Sequence, residues 1–539
     1  MKNHQETLLP PKDGLEGLKQ NFSQDATSGF VVFLLALPLS LGIAAASGFP
    51  PIMGVLTAII GGLVATFFTG SQLSIKGPAA GLIVIVADCV GAFGGGMEGW
   101  RLALGVMVVA GVIQILMGVF KWGKFVDIFP LSAVHGMLAA IGFIIIAKQV
   151  PVLLNVDPSL ASGKAPFELF AAIPSFFANL DPQVSIIGGV SLAIMLGWGF
   201  VKHPFLKQIP APLLVLIFAI PASLMMNLCE SAPDYTLVKV GKIIDQVGIN
   251  ATMEGFSQTG IFIKFVIMVS LVGTLESLLT VKAIDMLDPW KRKADPNKDI
   301  VAIGISNSVA GLLGGLPMIS EVARSSANVA QGARTRWANF FHGLFLLLSV
   351  LLAFQLLELI PNAALAAMLI AVGIKLAHPK EFTHMLKVGP EQLAIFVTTI
   401  VFTLAKDLLV GIATGMILKA IIHVSRGASL GSLFRAGVVV DEENERYLLR
   451  LGDAAIFTNY LGIKEKLDKI PKGKTVAFDL ANTVVIDHTV MDNLHHFEED
   501  YVRAGGTVEF IGLDELEPVS SHPHAARKRS KNPDKDQNN

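Results

Sequence analysis

From Ala26 to Ile75 the chain carries no Asp, Glu, Lys or Arg. Leu102–Phe120, Gln208–Cys229 and Val301–Ser320 are charge-free as well. A helix that crosses a bilayer needs roughly 20 mostly apolar residues, so stretches of this length read as membrane segments and not as buried core helices. The first is long enough for two crossings, hinged at Pro50-Pro51. Charged residues make up 16% of the 539, against about 25% in an average soluble domain. The apolar runs are continuous where a membrane β-barrel would need alternation. The expected class is therefore a polytopic α-helical membrane protein. The net charge of −1 points to no polyanion or nucleic-acid partner. Cys89 and Cys229 read as packing residues and not as a disulfide or metal pair. The chain is polar to about Gln24, and the apolar stretch that follows is too long for a cleavable signal.

About fourteen crossings are expected, some of them short. The first membrane repeat, 26–228, holds segments at 26–47, 51–69, 78–92, 102–120, 127–147, 184–201 and 211–228. The second, 259–424, holds 259–284, 299–312, 320–332, 337–359, 361–375, 390–405 and 408–424. A polar connector, 229–258, separates them and falls outside the cell or in the periplasm. Phe167–Leu180, broken by Pro174, reads as an interfacial helix. Lys121, Lys124, Lys202, Lys207, Lys291, Arg292, Lys293, Arg334, Arg336, Lys380 and Lys387 share one side, and Arg101, Lys164, Lys239 and Lys242 the other. That asymmetry predicts cytoplasmic N- and C-termini in an inner or plasma membrane, with 1–25 a cytosolic N-terminal segment. Seven crossings per half place the halves in opposite orientations, an inverted repeat suited to alternating access around a midplane site. Beyond Phe434 the pattern becomes that of a small α/β domain, 435–518. Its expected strands are Val438–Val440, Tyr447–Leu451, Thr475–Leu480 and Thr507–Ile511, and its expected helices Asn459–Ile470 and Thr489–Ala504. The polar tail, 519–539, reads as disordered.

Two glycine- and proline-broken segments interrupt the apolar sequence in corresponding places of the two halves. They are Ser74-Ile75-Lys76-Gly77-Pro78-Ala79-Ala80-Gly81 and Gly314-Gly315-Leu316-Pro317-Met318-Ile319-Ser320-Glu321-Val322-Ala323-Arg324. Each is expected to run extended and then turn helical part-way through the bilayer, since proline suits a helix's first turn. Irregular backbone at that depth survives only inside protein or along a cavity. A pair of half-helices with free N–H groups aimed at one point is the mark of a transporter's binding site, and the positive dipole ends favour an anion. One such break alone would read as a proline kink.

Intramembrane acids are functional candidates by default. Glu276 and Thr280 lie four apart on one helical face, where oxygens can hold Na⁺ or the carboxylate can carry a proton. Arg324 adds positive potential at the second half-helix. Glu321 competes with an anion there unless it points away and pairs with Arg324, or is protonated. Asp88 reads as a rim or pairing charge, and His135 and His342 as packed or hydrogen-bonded groups. No nucleotide loop, catalytic triad or metal cluster is apparent, so neither an enzyme nor a cofactor is expected, apart from Na⁺ as a coupling ion.

These passages resemble the SulP (sulfate permease) family of anion transporters over nearly the whole chain. The matching residues are Ala36–Ala44, Ser74–Gly81, Leu275–Thr280, Gly315–Asn328 and Gly332-Ala333-Arg334-Thr335. The C-terminal region resembles a STAS domain. The resemblance implies a seven-plus-seven inverted repeat of the uracil-permease type, with core and gate domains. It places the anion between the starts of the third and tenth crossings, at Pro78, Ala79, Ala80, Ile319, Ser320 and Glu321, with Leu39 lining the pocket. It implies homodimers and, from Leu39 after Pro38, a likeness to the sodium–bicarbonate branch, whose sodium site matches Glu276 and Thr280. Thr489 is a candidate regulatory phosphosite. The expected activity is Na⁺- or H⁺-coupled transport of bicarbonate or sulfate. The alternatives are an uncoupled anion exchanger, a dicarboxylate carrier or, in a different class, a nucleobase permease.

Overall fold

The computed structural model describes residues 10–203, 209–233, 235–435, 437–443 and 446–529. Among the described residues, fourteen helices stand at the expected crossings. The first seven are α1 (Gly14–Ala46), α2 (Pro51–Leu63), α3 (Ile83–Ala92, entered through a 3₁₀ turn at Ala80–Leu82), α4 (Gly96–Val119), α5 (Leu131–Leu153), α6 (Pro182–Gly197) and α7 (Ala211–Met225). The second seven are α8 (Thr259–Leu287), α9 (Pro296–Leu313), α10 (Val322–Ala330), α11 (Trp337–Leu352), α12 (Asn362–Leu376), α13 (Pro390–Ala405) and α14 (Leu408–Ser425). Among the described residues, eight helical segments are long and apolar enough to cross a bilayer on their own. The shorter ones include the half-helix Ala80–Ala92. The chain between α5 and α6 forms a further helix, Pro166–Ala178, that accommodates Pro174.

Local chemistry sets the helix ends. α9 starts at Asp295, whose carboxylate accepts from the N–H groups of Asn297 and Lys298, with Pro296 in the first turn. It stops at Gly314, which has a φ of 105°, the left-handed cap that glycine tolerates. α1 begins twelve residues earlier than the apolar pattern, at Gly14 and not at Ala26. The polar stretch is held in the helix by tertiary partners. Buried Asp25 accepts from the N–H groups of Arg334 (2.8 Å) and Thr335 (3.1 Å), and Trp337 Nε1 donates to the Gly14 carbonyl at 2.8 Å.

The backbone divides into two compact units. One comprises Ile141–Leu376 with the chain up to Gly123, and the other Lys124–Ala140 with the chain from Ala377 on. This division does not follow the repeat boundaries at 228 and 259: α13 and α14 fall in the unit that holds the C-terminal region, and α14 is bonded to that region. Lys419 of α14 is fully buried. Its Nζ lies 3.0 Å from Asp487 Oδ2 and donates to Thr489 Oγ1 at 2.7 Å.

The C-terminal region contains the expected strand–helix pattern. Strands β3 (Val438–Glu443), β4 (Arg446–Leu451), β6 (Thr475–Asp479) and β8 (Thr507–Ile511) form one sheet in the order β3-β4-β6-β8. β3 and β4 are antiparallel, while β4, β6 and β8 run parallel. Helices α15 (Tyr460–Leu467) and α16 (His488–Arg503) supply the crossovers. Leu449, Val476, Phe478, Ile463, Leu467, Val490 and Leu494 form their common core. A second sheet has the order β5-β7-β10-β9, from β5 (Ala454–Ala455), β7 (Val485–Ile486), β9 (Leu516–Pro518) and β10 (Arg527–Arg529). β10 corrects the expectation of a disordered tail from 519. Arg527–Arg529 pairs antiparallel with both β7 and β9, which supplies partners for its backbone. Residues 530–539 lie outside the described residues.

Candidate functional site

The two broken segments meet. β1 (Lys76–Pro78) pairs antiparallel with β2 (Met318–Ser320), in the register Lys76↔Ser320, Gly77↔Ile319 and Pro78↔Met318. The ladder is extended at both ends: Ala79 N donates to Pro317 O at 3.4 Å, and Glu321 N to Ile75 O at 2.9 Å. Side chains satisfy much of the remaining backbone. Ile75 N donates to Ser325 Oγ (2.8 Å), Lys76 N to Asn339 Oδ1 (3.1 Å), Met318 N to Asn307 Oδ1 (2.6 Å) and Leu316 N to Thr57 Oγ1 (2.8 Å). A two-strand crossing inside an apolar unit is stable because these groups are paired. Its antiparallel register is what an inverted repeat requires. One half-helix leaves from each strand, α3 after Ala80–Leu82 and α10 at Val322.

Two glycines let charged side chains reach the main chain. A Cβ on Gly77 would lie 2.1 Å from Arg324 Nη1, and one on Gly81 would lie 1.9 Å from Glu276 Oε1. Arg324 is 1% exposed. Its Nη2 donates to Ser40 Oγ at 3.3 Å, and its Nε and Nη1 have no hydrogen-bond partner. Glu276 is 6% exposed, and both carboxylate oxygens lack a partner. Thr280, one turn further on α8, is buried. Leu39, Ala79 and Ile319 are buried apolar groups, and Pro78 is buried beside them. The site therefore combines an apolar surround, the start of α3, one guanidinium with unused donors and one carboxylate with unused acceptors.

Glu321 makes a contact that the sequence did not offer. It is the N-cap residue of α10 but makes no side-chain cap on its own helix. Instead its Oε1 accepts from Ala80 N at 3.2 Å, across the sheet at the start of the opposite half-helix. Ser320 points elsewhere. Its Oγ receives Lys76 Nζ at 2.6 Å, lies 3.0 Å from Ser277 Oγ and donates to Asp299 Oδ2 at 3.2 Å.

That last cluster was not legible from the sequence. Lys76 Nζ donates to Asp299 Oδ1 (2.7 Å) and Ser74 Oγ (2.7 Å), and both side chains of the ion pair are wholly buried. Thr69 Oγ1 donates to Asp299 Oδ1 at 2.7 Å. The available signal was that Lys76 is the first charge after the run Ala26–Ile75, which places it inside the membrane unit and obliges it to find an acid. Asp88 pairs with Lys148 at 3.3 Å, as a rim charge should. His135 Nδ1 lies 3.1 Å from Glu381 Oε2. His342 is fully buried with neither ring nitrogen hydrogen-bonded.

Residues 22–399 match the model of the sulfate permease family. YvdB of Bacillus subtilis, whose sulfate-transporter designation is provisional, is 28% identical over 415 residues, covering 76% of this chain and 74% of that protein. The bicarbonate transporter BicA of a Synechocystis strain is 25% identical over 517 residues, covering 92% of this chain and 88% of that protein. Among solved structures, the transmembrane domain of a cyanobacterial bicarbonate transporter BicA superposes with a TM-score of 0.64 at 23% identity. It covers 73% of this chain and 98% of that one. The chain belongs to the sulfate permease family, and its fold is that of these transporters.

Proposed function

We propose that this member of the sulfate permease family is a secondary active transporter of a small inorganic oxyanion, bicarbonate or sulfate, working by alternating access. One observation carries the reading. The start of α3 and the unsatisfied guanidinium of Arg324 converge on the two strands, with Arg324 Nη1 close enough to Gly77 to exclude a Cβ. Backbone N–H groups at a helix start and a charged guanidinium both favour an anion, and their donors are charge-assisted. Pro78, Ala79, Ala80, Leu39 and Ile319 give the seat its shape, with Glu321 and Arg324 on the second arm, while the Ser320 hydroxyl braces that arm through the Lys76–Asp299 pair. The protein is an integral membrane protein. In this reading it lies in an inner or plasma membrane with both termini cytoplasmic and acts as a homodimer.

The coupling ion is Na⁺ or H⁺, held at Glu276 and Thr280. The donor set suits either. A buried carboxylate with two unpartnered oxygens attracts a cation or a proton, and the hydroxyl one turn on adds an oxygen. Uptake of labelled bicarbonate and labelled sulfate into proteoliposomes, with Na⁺ replaced by choline at two pH values, tests both parts. Glu276→Gln is expected to remove the dependence on the driving cation. Coupled uptake that is unchanged in this variant would remove Glu276 from the coupling site.

A further inference from the structure

A side chain of the protein already occupies the position where an anionic cargo would meet the first half-helix. Glu321 reaches over the two-stranded sheet and accepts from Ala80 N at 3.2 Å. Ala80 opens the helical segment Ala80–Ala92. The neighbouring residue, Gly81, faces a second carboxylate, Glu276, which is 6% exposed and has no hydrogen-bond partner on either oxygen. Two carboxylates from two different helices are thus aimed at one helix start.

We propose that Glu321 is a tethered competitor of the cargo, which must be neutralised or displaced before an oxyanion can take the Ala80 N–H. The proposal rests on the anion-transport reading and extends it to how binding is controlled. The electrostatic argument is a count of charges. Arg324 on α10 and Lys375 on α12 act on Glu321 as positive groups, and Glu276 on α8 as a negative one. The Arg324 charge also acts on His342 of α11. Lys76 is already committed to Asp299. An ionised Glu321, an ionised Glu276 and an anionic cargo would place three like charges against one buried guanidinium and one exposed ammonium. Protonation of Glu321 removes one charge and weakens its hold on Ala80 N, so cargo binding and proton uptake at this residue favour one another. A group that blocks the site when ionised lowers apparent affinity by the fraction of protein left competent.

The test compares wild type, Glu321→Gln and Glu321→Ala in proteoliposomes. The apparent KM for labelled sulfate and for labelled bicarbonate is measured at pH 6 and pH 8. Taking the ratio of the two KM values within each protein, and comparing it between proteins, cancels any titration of the cargo itself. Wild type should show a KM that rises with pH, approaching roughly tenfold per pH unit once the carboxyl is mostly ionised. Both variants should show a lower KM at pH 8 and a ratio reduced to that of the cargo alone. If Glu321 is only a strut between the two arms, the variants lose uptake at both pH values with the ratio unchanged, and the proposal is overturned. A wild-type ratio retained in the variants overturns it too. Failure of the wild type to carry either anion under any gradient would instead overturn the transport reading itself.

Discussion

Lys76→Met is expected to destabilise the membrane unit by about 3–5 kcal/mol, the range for removing one partner of a buried ion pair. The Lys76 ammonium and the Asp299 carboxylate are 2.7 Å apart with both side chains wholly buried, so removing the lysine strands a carboxylate that cannot reach water. Thr69 and Ser320 would still donate to it, which limits the loss but does not replace the cation. The pair also fixes the binding region. Lys76 is the first residue of β1, Ser320 the last of β2, and the Lys76 Nζ to Ser320 Oγ bond ties the two strands together at one end. Asp299→Asn should therefore behave like Lys76→Met, lowering the melting temperature of the detergent-solubilised protein. Lys76→Met/Asp299→Leu, which removes both charges, should recover much of the loss. Additive losses in the double variant would show that the two residues do not act as a pair.

Asp487→Asn is expected to destabilise the second unit by a similar amount, about 3–5 kcal/mol, because it leaves Lys419 buried without its counter-charge. Asp487 has two roles. Its Oδ1 accepts from Val490 N at 2.7 Å as the N-cap of α16, and its Oδ2 lies 3.0 Å from Lys419 Nζ and accepts from Phe457 N at 2.8 Å. Asparagine can still cap, so Asp487→Ala should cost about 1 kcal/mol more than Asp487→Asn. Burial alone would raise this carboxyl's pKa. The Lys419 charge, His423 and the backbone N–H of Val490 outweigh it and hold the group well below the ordinary value of 3.8. A carboxyl lowered in the folded state contributes stability that is complete above its unfolded pKa and is lost as pH falls towards the folded one. Acid unfolding of wild type should thus include a stability loss beginning below about pH 4–5 that is absent in Asp487→Asn. Superimposable acid-unfolding profiles would contradict the assignment. The same geometry bears on Thr489. It is 2% exposed and its hydroxyl accepts from Lys419, so a kinase cannot reach it without opening this contact.

Eight of the fourteen helices were legible because they are long and apolar enough to cross a bilayer, and the others because apolar runs end at glycine, proline or charged residues. The paired breaks were legible because Gly77-Pro78 and Leu316-Pro317 stop a helix at matching places in two halves. What links the two halves was not. Lys76 and Asp299 are 223 residues apart, and Ala80 and Glu321 are 241 apart, so no local periodicity connects either pair. On its own helix Glu321 has Arg324 three residues on, and the sequence leaves a pair with Arg324 and a protonated carboxyl equally open. The antiparallel pairing of β1 with β2 turns the carboxylate to the opposite arm instead. β10 was hidden for another reason. Arg527-Lys528-Arg529 has the composition of a solvated tail, and only its pairing with β7 and β9 makes it a strand.

In the proposed mechanism an oxyanion crosses at the meeting point of the two half-helices, with Arg324 as its buried counter-charge. The most direct measurement is gradient-driven uptake of labelled bicarbonate and labelled sulfate into proteoliposomes, comparing wild type with Arg324→Gln. Folding of each sample is checked by size-exclusion profile and melting temperature. A charge-assisted hydrogen bond to an anion contributes about 1.5–3 kcal/mol, or roughly ten- to a hundredfold in affinity. The account predicts saturable uptake of at least one of the two anions by wild type, and a loss of at least about tenfold in folded Arg324→Gln. Folded wild type that carries neither anion, or Arg324→Gln with wild-type uptake, would contradict it.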